Sequence, residues 1–185
     1  MSIPDSAIVG RVLAGDLEAF ALLVDRHHAR CLKVATGVLG DSDDAEDAVQ
    51  EAFVRAYRGL AGYRETERFG AWLLRIVVNQ CRTHRARGAR QDPRGPGAPV
   101  DFDTLLEPIA SAESGFDDAE RRETLAFALA QLGDEQREAV VLRFTDGLSY
   151  DEMATVTGVG VSALKMRVQR ACTRLRTLLT EHLHA

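Results

Sequence analysis

The chain has 185 residues, 45% hydrophobic and 28% charged, with a formal net charge of −5 at pH 7. That balance is ordinary for a globular protein and leaves room for one domain or two small ones, while scarce aromatics and abundant Ala, Leu, Val, Arg and Glu favour helices. No apolar run approaches the ~20 residues needed to cross a bilayer, the opening MSIPDSAIVGR has no basic-then-apolar leader pattern, and Cys31, Cys81 and Cys172 lie far apart without a C-x-x-C pair, which predicts reduced thiols in a cytoplasmic protein.

Residues 5–13 predict a short first helix. Gly15-Asp16 breaks the pattern, and Asp16 is placed to cap a second helix carrying Ala19, Phe20, Leu23 and Val24 and running on to Leu32 and Ala35. The adjacent His27 and His28 point to different helix faces, a poor metal pair, so neither a metal nor a cofactor is expected. After the turn GVLGDSD, Ser42 or Asp43 is expected to cap a third helix, with Asp44, Glu46 and Asp47 at its positive end. Ala45, Ala48, Val49, Ala52, Phe53, Ala56 and Tyr57 form its core face; Asp44, Asp47, Gln50, Glu51 and Arg55 form its outer face. The carboxylates of its first turns have no paired base or nucleophile, so capping accounts for them and no enzymatic role is read.

The loop GLAGYRETER leads to a fourth helix with Phe69, Trp72, Leu73, Ile76 and Val77 inward and Arg75, Asn79, Arg82, Arg85 and Arg87 outward or beyond the apolar part. The spacing of Trp72 with Phe69 and Ile76 favours core packing over a base-stacking role. From Gly88 to Gly115 the chain holds four of its five prolines and no sustained helical period, which predicts a linker unable to bury enough apolar surface to fold alone. Helical spacing returns with Leu125, Phe127, Ala128, Leu129 and Leu132, and Asp134 is expected to cap a further helix bearing Ala139, Val140, Leu142 and Phe144, with Arg143 exposed.

Charge is segregated along this order. Asp41 to Glu51 has six acidic residues and no basic one, Ala61 to Arg90 carries +5, and Val100 to Glu123 carries −6. Such blocks suggest nucleic-acid faces separated by acidic surfaces with other partners.

The most specific local pattern lies between Gly147 and Arg176. Ser149 and Glu152 form an S-x-x-E capping box, and Ala154 followed by Gly158 matches the close crossing and turn of a helix-turn-helix. In the second helix Val161, Leu164, Val168, Ala171, Leu175 and Leu178 make a buried stripe, opposite Ser162, Lys165, Met166, Gln169, Arg170 and Thr173. From Val161 to Thr180 there are five basic residues and no acidic one. Helix-end electrostatics accounts for Arg174 and Arg176. Lys165 and Arg167 sit in the first two turns, so they favour a polyanion, here DNA, over a structural hairpin.

With these residues in place, the chain resembles bacterial RNA polymerase sigma factors of the extracytoplasmic-function (ECF) group, over nearly its whole length. DAEDAVQEAFVRAYRGL (Asp44–Leu60) is similar to the family's region 2.2, and FGAWLLRIVVNQCRTHRAR (Phe69–Arg87) to regions 2.3–2.4, with the pattern F-x-x-W-L-x-R-I-x-x-N. GLSYDEMATVTGVGVSALKMRVQRACTRLR resembles region 4.2. A lone helix-turn-helix is a weak signal; three motifs in order are a strong one.

The resemblance implies an all-α fold of two small helical domains: residues 1–90 as the region 2 bundle, 91–116 as a flexible acidic linker, and 117–183 as the region 4 helix-turn-helix domain. It implies that Asp47, Gln50 and Glu51 dock on core RNA polymerase, and that the Tyr63–Phe69 loop with the basic helix opens and reads the promoter −10 element. Arg64, Arg75, Asn79, Arg82, Arg85 and Arg87 are the −10 candidates, Asn79 for a base edge and the arginines for phosphates. The second helix of region 4.2 would enter the major groove of the −35 element, with Ser162, Lys165, Met166, Gln169 and Arg170 facing bases and Arg143 and Arg167 facing phosphates. The linker would thread the polymerase's active-site and RNA-exit channel, and an anti-sigma factor is the implied inhibitor. Gly160 stands where the family commonly has a capping Ser, and Thr83 where it often has Asp; both bear on promoter sequence. The alternative is a free-standing regulator that uses only the helix-turn-helix.

Overall fold

The computed structural model describes residues 3–64, 68–91 and 118–183. The described residues form eight α-helices: α1 (Asp5–Leu13), α2 (Ala19–Leu39), α3 (Ser42–Gly59), α4 (Phe69–Gln91), α5 (Asp118–Ala130), α6 (Asp134–Val140), α7 (Tyr150–Thr157) and α8 (Val161–Leu183). A 3-10 turn at Leu60–Gly62 follows α3, and a π-helical turn at Val141–Thr145 follows α6. Apart from its first residue, the expected linker 91–116 lies outside the described residues.

Local chemistry sets the helix ends. Asp16 accepts from the Ala19 backbone N–H at 3.2 Å, as its position before α2 predicts. The α3 cap differs from expectation by one or two residues. Asp41 takes the extended N-cap conformation and accepts from Asp44 N at 2.9 Å, while Ser42 and Asp43 already lie inside the helix. Asp134 likewise begins α6 rather than capping it: Gly133 is the cap residue and offers no side chain. Gly40 and Gly158 end α2 and α7 at φ of 81° and 73°, a left-handed conformation that Gly adopts without a Cβ penalty.

Helices α1 to α4 pack as one bundle, with α2, α3 and α4 in mutual contact and α1 across α2. The apolar face predicted for α3 is buried from Ala45 to Ala56, but Tyr57 is exposed and packs edge-on against Phe20 at 5.2 Å. Helix α4 buries more than its predicted stripe, because Leu74, Val78 and Cys81 are also inside. Helices α5 to α8 form the second module, with α6, α7 and α5 all resting on α8.

The two modules touch. Helix α4 packs on α7, and α2 packs on α6 and the π turn. A continuous cluster of buried side chains runs from Leu23, Val49 and Leu74 in the first module to Leu142, Met153 and Leu164 in the second. This contact adds apolar burial to the small second module of α5 to α8.

Candidate nucleic-acid and polymerase interfaces

The helix-turn-helix is built as its sequence dictates. Ser149 Oγ accepts from Glu152 N at 3.2 Å, and the Glu152 carboxylate accepts from Ser149 N at 2.9 Å, closing the capping box. The bond from the Ser149 backbone N–H holds the Glu152 carboxyl below its ordinary range. Thr157 Oγ1 donates back to Met153 O at 2.8 Å and accepts from Val159 N at 3.2 Å, so the last turn of α7 and the connection to α8 are pinned by one hydroxyl. In α8, Leu164, Val168 and Ala171 are buried, with Val161, Leu175 and Leu178 half-buried alongside.

The opposite face is open: Ser162, Lys165, Met166, Gln169, Arg170 and Thr173 are all exposed. Tyr150, which the sequence pattern did not single out, organises two of the expected cations. Its ring centroid lies 5.2 Å from the Arg143 guanidinium carbon and 5.7 Å from Lys165 Nζ. Arg143 also donates to Leu148 O at 2.8 Å, which fixes the loop between the π turn and α7. It is therefore half-buried and tied down rather than extended into solvent. Arg167 pairs with Glu135 at 2.7 Å; Glu135 is well exposed, so a phosphate can replace it at little cost.

On the first module the expected −10 residues divide. Arg64, Asn79 and Arg87 are exposed, and Arg75 is half-buried. Arg82 and Arg85 turn inward toward the second module. Arg82 forks onto Glu138 (Nε 3.0 Å and Nη2 2.7 Å) and donates through Nη1 to Thr157 O at 3.2 Å. Arg85 donates to Val38 O at 2.8 Å and approaches Asp134 at 3.5 Å. Asn79 Oδ1 lies 3.5 Å from Arg82 Nη1, at the edge of this network. The carboxylate of Glu138 raises the Arg82 pKa further above its ordinary value. Trp72 packs with Tyr63 and Phe69 at ring distances of 5.3 and 5.6 Å, the packing role expected of it.

On α3, Asp47 and Gln50 are exposed side by side. Glu51 is partly engaged within the module: it accepts from Gln80 and lies 3.4 Å from Arg87 and 3.6 Å from His84. Its carboxylate therefore ties α3 to α4 as well as edging the acidic face. Among the described residues no group of three or more His, Cys, Asp or Glu side chains could hold a metal, and no helix is long and apolar enough to cross a membrane.

Two family models match the chain, one in each module. Residues 23–91 match Sigma-70 region 2, and residues 122–175 match Sigma-70, region 4. The chain is 34% identical over 172 residues to the RNA polymerase sigma-H factor of Pseudomonas aeruginosa, covering 90% of this chain and 89% of that one. It is 32% identical over 174 residues to the ECF RNA polymerase sigma-E factor of Escherichia coli K12, covering 91% of each. Among solved structures it is similar to CnrH in complex with the cytosolic domain of CnrY, with a TM-score of 0.67, 28% identity, and 95% and 96% of the two chains covered. It is equally similar in TM-score, 0.67, to the sigma factor RpoE of Bartonella quintana bound to the anti-sigma factor NepR, at 26% identity over 87% of this chain and 96% of that one. With both regions present in order, and with likeness along nearly the full length of these relatives, the chain belongs to the sigma-70 family of RNA polymerase sigma factors, in its ECF group, which directs core polymerase to promoters.

Proposed function

We propose that residues 1–90 dock on core polymerase and read the −10 element, that residues 117–183 read the −35 element, and that 91–116 links them. The observation that carries this division is the α8 face, where Ser162, Lys165, Met166, Gln169 and Arg170 stand exposed with no acidic residue between Val161 and Thr180. A helix of that kind, presented after a capped helix and a glycine turn, suits a major groove. Asn79 with Arg64, Arg75, Arg82, Arg85 and Arg87 supplies the base edge and phosphate contacts of the −10 face. Asp47 and Gln50, with Glu51 at their edge, supply the polymerase-docking face. Catalysis stays with the polymerase, and the chain works in the cytoplasm without a cofactor. The solved complex of its RpoE relative with NepR supports an anti-sigma factor as the inhibitory partner.

Reconstitution tests this directly. Purified chain added to core polymerase is expected to give promoter-dependent transcripts that core enzyme alone does not make. Duplex DNA binding without any such transcripts would instead mark a free-standing regulator.

A further inference from the structure

Tyr150 is the first residue of α7, one position after the Ser149 cap, so the capping box fixes its backbone. Its half-buried ring packs against the core cluster, which limits how far it can turn. Two cations from different elements lie within cation–π range of that one ring: Arg143 of the π turn at 5.2 Å and Lys165 of α8 at 5.7 Å. The ring thus joins the π turn, the start of α7 and the second turn of α8.

Both cations keep their charge in this arrangement. Among the described residues neither Arg143 nor Lys165 has a carboxylate partner, whereas Arg167 on the same helix is paired with Glu135 at 2.7 Å. A carboxylate would hold these side chains more strongly, but it would cancel their charge and repel a phosphate. A ring face attracts a cation through its quadrupole and leaves the charge for a ligand. Arg143 is steadied further by its bond to Leu148 O at 2.8 Å. Lys165 is exposed, and the ring is the contact that restrains its long, rotamer-rich stem.

We propose that Tyr150 is a positioning residue for −35 recognition, its ring presetting Lys165 and Arg143 without neutralising them, so that duplex DNA meets two cations already ordered. This role rests on the reading of α8 as the −35 helix. Ordering a lysine at an interface costs affinity, and a contact that orders it beforehand recovers part of that cost. The ring carries the role and the hydroxyl does not, because the quadrupole of a phenylalanine ring serves a cation as well.

The test titrates holoenzyme, assembled from core polymerase and the full chain, against a fluorescein-labelled duplex promoter at which the wild-type holoenzyme initiates. The variants are Tyr150→Phe, Tyr150→Leu, Lys165→Ala, Arg143→Ala, and Tyr150→Leu combined with Lys165→Ala. Tyr150→Phe is expected to bind within about twofold of wild type, and Tyr150→Leu about three- to tenfold more weakly. With Lys165 already replaced, Tyr150→Leu is expected to cost less, because one of the two cations the ring holds is gone. The salt dependence of binding should keep its slope in Tyr150→Leu, which removes no charge, and fall by about one in Arg143→Ala. Wild-type affinity in Tyr150→Leu overturns the positioning role. So does the same loss with and without Lys165, which makes Tyr150 a packing residue only. A loss in Tyr150→Phe as large as in Tyr150→Leu also overturns it, by assigning the effect to the hydroxyl. If Lys165→Ala and Arg143→Ala both bind like wild type, the fault lies in the −35 reading of α8, and the positioning role falls with it.

Discussion

Arg137 is the buried cation that the sequence pattern passed over, and its removal gives the sharpest test of how the second module is held. Nε donates to Leu129 O at 3.1 Å and Nη2 to Ala130 O at 2.8 Å, so one guanidinium closes the C-terminal turn of α5, where helix carbonyls lack intrahelical partners. Hydrogen bonds from a charged donor contribute about 1.5–3 kcal/mol each. Burial opposes them by lowering the Arg137 pKa. Burial of the charge offsets part of the two-bond total, and Arg137→Ala is expected to destabilise the protein by about 2–3 kcal/mol. Urea unfolding followed by far-UV circular dichroism measures it: the midpoint falls at unchanged slope, with Tm lowered by roughly 4–12 °C for a chain of this size. Arg137→Lys keeps the charge but not the fork, and is expected to recover about half the loss. The exposed Arg174→Ala should stay within about 0.5 kcal/mol of wild type. If Arg137→Ala unfolds with the wild-type midpoint, or if Lys replaces Arg without loss, the capping role assigned to this residue is wrong.

Burial pushes the Cys31 and Cys81 thiols up to about 12, whereas Cys172 is half-buried; a thiol reagent at pH 8 should therefore modify Cys172 first and reach the other two only on unfolding. Because those two folded values lie above the ordinary value of 9.0, their linkage leaves stability untouched below pH 9 and erodes it as pH rises toward 12; a flat alkaline stability profile would contradict it. The Glu152 carboxyl has the opposite sign, lying below its ordinary 4.5, so the advantage of wild type over Glu152→Gln is present above that pH and is lost as pH falls through the folded value. A stability gap that stays constant from neutral to acid pH would refute the ionised capping box, and Ser149→Ala should cost about 1 kcal/mol at neutral pH. Lys165→Ala or Arg170→Ala should weaken −35 recognition by about 1–3 kcal/mol if the contact is to a base; footprints unchanged for both variants would take that face of α8 out of promoter reading.

The sequence by itself determined the helices, the capping box and the exposed basic face of α8, because each depends on residues within a few positions of one another. Ser149 and Glu152 meet across one helical turn, and the alternation of Leu164, Val168 and Ala171 with Lys165, Gln169 and Arg170 is a matter of helical period alone. The family resemblance was legible for the same reason, since its motifs are contiguous. Only the tertiary structure decided the fate of Arg82, Arg85 and Glu51, and it revealed Tyr150, Arg137 and Glu138 as residues that matter. Arg82 and Glu138 are separated by 56 positions, and Arg30 and Asp146 by 116. No periodicity connects such partners, because they meet only when two separately patterned modules bring their apolar faces together and a buried carboxylate in that contact requires a guanidinium beside it.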